Sequence, residues 1–172
     1  MTLIKSVRGC SPKQGKDCWF AENATIVGDV TMGDQCTVWF NAVIRGDVNY
    51  IKIGNRTNIQ DNATIHCTYE KFPTTIGSDV SIGHNAIVHG CTLEDQVLIG
   101  MGSMVMDGAV VKTGAIVAAG AVVLEGTIVE ENTIYAGVPA KKVKTVEGKN
   151  REMLLRIAGN YLKYSKWFQD ED

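Results

Sequence analysis

Residues 93–135 read LEDQVL IGMGSM VMDGAV VKTGAI VAAGAV VLEGTI VEENTI Y, an unbroken run of six-residue units. Each unit opens on an aliphatic residue: Leu93, Ile99, Val105, Val111, Val117, Val123 and Val129, with Tyr135 keeping the phase. Four places later stands a small or β-branched residue. A fixed short period of this kind is the mark of a hexapeptide solenoid. Each unit is one short strand and a turn, and three units close one triangular coil. The aliphatic slot and its small partner point inward, so stacked coils share one core.

Upstream the same slots are filled by Phe20, Ile26, Met32, Val38 and Ile44, then Ile53, Ile59 and Ile65, then Ile76, Ile82 and Val88. Their partners are Ala24, Val30, Cys36, Ala42, Val48, Thr57, Ala63, Val80, Ala86 and Thr92. The period breaks three times. Three extra residues fall near 50–52 and five near 71–75, and one residue is missing between Val88 and Leu93. Loops leaving a rigid scaffold often carry function.

The chain has three histidines, His66, His84 and His89, and the repeat fixes where each lies. His66 and His89 directly follow the inward residues Ile65 and Val88 of one face. They are expected on neighbouring coils, about 4.8 Å apart along the stack. Arg45 holds the same slot one coil earlier. His84 belongs to a different face, with Asp61 directly beneath it. A tetrahedral zinc site with Zn–N near 2.05 Å needs ligand nitrogens only about 3.3 Å apart. His84 is too far around the prism to join the pair within one chain. A neighbouring copy supplies it if a threefold axis sets one face of a prism against another face of the next. The expectation is a homotrimer with a metal at each subunit interface.

Three neutral imidazoles and an open position describe a catalytic zinc site. A metal-bound hydroxide at neutral pH could attack an electrophilic carbon such as that of CO2. Without cysteine ligands the site also suits Fe2+ or Co2+. Around the histidines stand Arg45 and Asp47 on one face, and Asn58, Gln60 and Asp61 on the other. Across a trimer interface Arg45 is expected to pair with Asp61. Gln60 is placed to orient solvent or a substrate oxygen.

The composition is unremarkable for a single domain: 172 residues, net charge −2 and pI about 5.9. There is no basic stripe for nucleic acid, and no run long enough for a signal peptide or a bilayer span. The five cysteines are widely spaced with no Cys-x-x-Cys. Cys36 reads as core filling, and Cys67 points away from its metal-facing neighbour. The expected setting is reducing and cytoplasmic. The repeat domain spans 1–146. Gly137-Val138-Pro139 stops the period. Over 147–172, Leu154, Ile157, Ala158, Tyr161, Leu162, Ser165 and Phe168 follow helical spacing, giving one amphipathic helix laid against the prism. Tyr161 or Tyr164 could reach the site from it.

Arg45-Gly46-Asp47, Asn58-Ile59-Gln60-Asp61, His66, and the run from Ile82 to Cys91 that carries His84 and His89 closely resemble the γ-class carbonic anhydrases and their bacterial relatives. The likeness covers nearly the whole chain. It implies a left-handed prism, a trimer, and a metal held by two histidines of one subunit and one of another. It also implies an Arg45–Asp61 intersubunit pair, with Gln60 and Asn58 positioning solvent and substrate. Two departures stand out. The best-known members carry glutamate where this chain has Val48. Their long acidic loop after the first histidine is here the short Thr68–Pro73, in which Glu70 could stand in as proton shuttle. Two other functions stay open: an acyl-CoA transferase or thioesterase of the hexapeptide type, and a non-catalytic metal-binding trimer.

Overall fold

The computed structural model describes residues 1–169. It is a left-handed parallel β-solenoid of about seven turns closed by one C-terminal helix. The last three residues of the tail assigned from sequence, 170–172, lie outside the described residues.

The inward slots stack in register on all three faces. Face one aligns Ile26, Ile44, Ile65, Val88, Val105 and Val123. Face two aligns Met32, Ile53, Ile76, Leu93, Val111 and Val129. Face three aligns Phe20, Val38, Ile59, Ile82, Ile99, Val117 and Tyr135. These columns and their small partners make one buried cluster down the axis. Each fully buried aliphatic contributes about 1.5–3 kcal/mol of transfer free energy. One-residue slips are therefore costly, because they would turn every inward side chain outward.

The corner from face three into face one repeats one device. Asn41, Asn62 and Asn85 adopt φ of 59, 59 and 57°, and Gly102 and Gly120 follow at 65 and 68°. Asparagine tolerates this left-handed conformation better than most residues. Asn85 makes the turn directly after His84, which leaves the histidine projecting from the corner.

Two of the interruptions sit elsewhere than the period alone suggested. Gly28 pairs with Gly46, but Val30 pairs with Ile51, so the first insertion is at 47–50. Ile51 takes the inward partner slot and is fully buried, while Val48 only packs against the core from the side. The second insertion leaves at 68–73, where Thr68 and Phe72 bridge antiparallel. Thr74 then returns inward opposite Ile51. The missing residue likewise gives the inward slot to Cys91, not Thr92.

Beyond Thr133–Ala136 the chain reverses. Lys141–Thr145 pairs antiparallel with that strand, at the edge of face three. The helix Lys149–Trp167 then lies over face three. Leu154 packs with Ile116 and Val146 beneath it, flanked by Met153, Leu98 and Ile134. Phe168, just past the helix, sits among Trp19, Trp39 and Phe40, which anchors that end.

Candidate metal centre

The strands Thr64–His66 and Ile87–His89 pair in register, with His66 opposite His89. Their inner neighbours Ile65 and Val88 are buried, so alternation turns both imidazoles outward on the same face. His66 Nδ1 and His89 Nε2 stand 3.0 Å apart.

Each ring is held from its other side by a carboxylate. His66 Nε2 donates to Asp47 Oδ1 at 3.0 Å. His89 Nδ1 donates to Asp107 Oδ1 at 2.6 Å. A carboxylate only accepts, so these contacts put the protons on the outer nitrogens. The two inner nitrogens are left with lone pairs facing each other. Burial holds His66 below the ordinary histidine value, which the Asp47 contact only partly offsets, so its ring is neutral at pH 7. Two lone pairs at this separation have no hydrogen to share. A tetrahedral zinc ion requires ligand nitrogens about 3.3 Å apart, so the donor set fits a cation at this place.

Both carboxylates are themselves fixed. Burial works to raise Asp47, but hydrogen bonds from His66 and Arg45 outweigh it and hold its carboxyl below the usual range. For Asp107, burial is likewise outweighed by hydrogen bonds from Thr68 and His89. Asp107 and Thr68 escape a reading from sequence. Asp107 lies a coil beyond His89, in a turn slot that also holds Asp34, Asp61 and Asp95 elsewhere in the repeat.

His84 stands on the corner of face three. Its Nδ1 lies 2.7 Å from Asp61 Oδ2, and its Nε2 is hydrogen-bonded to the Tyr161 hydroxyl at 3.3 Å. Among the described residues of one chain, no three His, Cys, Asp or Glu side chains converge on a common cation position. Arg45 is bonded to Asp47 and Asp61 to His84 within the chain, so each keeps an intrachain partner.

Asn58 and Gln60 face outward on the strand beneath His84. Gln60 Nε2 donates to Asn58 Oδ1 at 3.0 Å, and Asn58 Nδ2 donates to Ser81 Oγ at 2.8 Å. The relay fixes both amides although both are buried. Gln60, His84 and Tyr161 line one end of an apolar groove of about 380 Å³ between helix and face three, walled by Leu98, Ile116 and Ile157. Burial pushes the Tyr161 hydroxyl up to about 12, so it remains a neutral donor. Glu70 is exposed. It shares with Asp47, Asp29 and Arg8 a cleft of about 280 Å³ on the other side of the histidine pair. Cys67 is buried in the core, facing away from the imidazoles.

Comparison with known proteins places these features in a family. The family model described as hexapeptide repeat of succinyl-transferase matches residues 73–107 and 92–125. A carbonic anhydrase of Geobacillus kaustophilus is 40% identical, covering 97% of this chain and 91% of that one. The mitochondrial γ carbonic anhydrase 2 of Arabidopsis thaliana is 37% identical over 94% of this chain, which spans 60% of the plant protein. Among solved structures, a hexapeptide transferase family protein from Anaplasma phagocytophilum superposes with a TM-score of 0.92. It is 38% identical, over 96% of this chain and 98% of that one.

Proposed function

The chain belongs to the γ-class carbonic anhydrase family of hexapeptide-repeat proteins, and on that premise we propose that it hydrates CO2 to bicarbonate and a proton at a divalent metal, zinc first with Fe2+ or Co2+ as substitutes, held between the subunits of a homotrimer. The observation that carries the reading is the 3.0 Å approach of His66 Nδ1 and His89 Nε2, each ring held at its other nitrogen by an aspartate. His84 has Asp61 beside its Nδ1, and its Nε2 meets the Tyr161 hydroxyl, which would yield to a cation. It stands on a different face, so a second copy of the chain brings it to the pair. The trimer is the arrangement that completes the set with one interface type.

His66 and His89 of one copy with His84 of another would hold a zinc ion, which when bound would supply activation of a water as nucleophile. The side chains do the rest. Gln60, with its amide oriented by Asn58, offers one N–H and its carbonyl oxygen to solvent and to a CO2 oxygen. Tyr161 donates from the opposite side once the His84 nitrogen is engaged. The apolar wall of the groove excludes water from a nonpolar substrate. Asp47, Glu70 and Asp29 line the cleft beside the pair, and Glu70 is the exposed carboxylate suited to pass the proton to buffer. Val48 places an apolar side chain next to Asp47 in this cleft, so proton exit through Glu70 is the step expected to limit turnover. The five free cysteines fit a reducing, cytoplasmic setting.

Stopped-flow CO2 hydration on anaerobically purified protein, with metal content measured on the same sample, tests the proposal. Turnover no faster than free metal in the zinc, cobalt and iron forms alike would remove it. One observation favours a second substrate: at about 380 Å³ the groove is roomy for a three-atom molecule. A short acyl thioester hydrolysed at the same centre would use it, and hydrolysis rates rising with chain length would bring that reading forward.

A further inference from the structure

One carboxylate ties together the second histidine and the loop that follows the first. Asp107 accepts from His89 Nδ1 at Oδ1 and from Thr68 Oγ1 at Oδ2, both at 2.6 Å. Thr68 opens the 68–73 insertion, two residues after His66. The three partners lie on three successive coils.

The path of the carboxylate is built into the backbone. Gly90, directly after His89, adopts φ +53°, and a Cβ there would lie 2.3 Å from Asp107 Oδ1. The same Cβ would meet the Cβ of Phe72, in the loop, at 2.9 Å. A Cβ on Gly108 would reach the Phe72 ring at 3.1 Å. The Gly108 N–H donates to the Gly90 carbonyl at 2.7 Å, which stacks the two bare positions. Two glycines therefore clear the space through which Asp107 reaches the imidazole and in which Phe72 seats the loop.

We propose that Asp107 is a positioning residue that holds His89 as its Nδ1–H tautomer, so that Nε2 keeps its lone pair for the metal, and that it locks the 68–73 loop to the same point through Thr68. The proposal rests on the metal-centre reading above. The hydrogen bond at one ring nitrogen decides which of the two carries the proton. An unconstrained neutral imidazole prefers the proton on Nε2, the position where His89 would then present a hydrogen to a cation. Asp107 reverses that preference. Its pairing with Thr68 extends the effect to the loop that carries Glu70.

The test uses the full-length, metal-free protein labelled with 15N, with ring N–H correlations assigned by the signal lost in His89→Gln. The expected result is an Nδ1–H proton on His89. In Asp107→Ala the proton moves to Nε2, amide exchange of residues 68–72 accelerates, and zinc affinity, measured by chelator competition, falls about 10- to 100-fold. Asp107→Asn keeps an acceptor and the shape, and is expected to retain the tautomer with a smaller loss. It also serves as the folding control. An Nε2–H proton on wild-type His89 overturns the proposal, as does an Asp107→Ala variant with unchanged tautomer or unchanged zinc affinity. If the wild type shows the Nδ1–H tautomer and the variant loses it, yet neither binds zinc, the tautomer assignment stands and the metal reading fails.

Discussion

At the scale of single residues, His66 has the clearest consequence. Its native pKa lies below the ordinary 6.5 because burial disfavours the charged ring. The unfolded chain therefore takes up a proton first as pH falls. Stability is full above about pH 6.5 and is lost progressively between there and the lower native value. Thermal melts of chelator-treated protein should show Tm falling as pH drops below about 6.5, with a shallower slope in His66→Asn. Equal slopes would mean the ring is not buried as a neutral group. Asp47 and Asp107 act in the same direction at lower pH: their native pKa values are also depressed, so their contribution is present above about pH 4 and lost in stronger acid. Gln60 belongs to the reaction and not to the fold. Gln60→Ala is expected to lower kcat/KM for CO2 on the order of 100-fold, by analogy with losing one oriented donor, with metal content unchanged. Loss of metal in that variant would move Gln60 out of the substrate role.

At the scale of elements, the placement of the first insertion can be read in stability. Ile51 is sealed in the core, whereas Val48 only flanks it. Ile51→Ala should cost about 2–5 kcal/mol. Val48→Ala should cost about 1 kcal/mol, a typical value for a half-buried position. Denaturant midpoints giving the reverse order would restore the sequence-based phase. The case also shows what the sequence carries. A strict period names the faces, because every sixth residue must be inward, and it put His66 above His89 and His84 around the corner. It counts the extra residues in an interruption but does not say which of them leave the coil. Gly46 and Ile51 decide that in three dimensions. The helix was legible from its 3.6-residue spacing. The strand 141–145 was not, because all five of its residues are exposed and no alternation marks it. The three histidines were legible from their slots, but Asp107 was not, since its importance comes from a glycine on a neighbouring coil.

At the scale of the whole molecule, the assembly prediction concerns Arg45 and Asp61. Within one chain both have other partners, Asp47 and His84. If the two meet across subunits, Arg45→Glu alone should shift sedimentation toward monomer, and combining it with Asp61→Arg should restore the trimer, though not metal binding, because Asp61 also holds His84. A trimer indifferent to the single reversal would discard this pair while leaving the histidines in place. The C-terminal reversal governs another kind of association. A column of parallel coils ends in a row of backbone donors and acceptors that any similar column could extend. Here the last rung of face three is covered by Lys141–Thr145, laid the opposite way and bearing Lys141, Lys142 and Lys144 in solvent. A direction mismatch and the charges of Lys141 and Lys144, beside a Lys142 paired with Glu130, deny a second molecule its foothold. Exchanging those lysines for threonine would leave the prism intact while inviting end-on growth into filaments, so this short terminal segment is what keeps a repeating architecture finite.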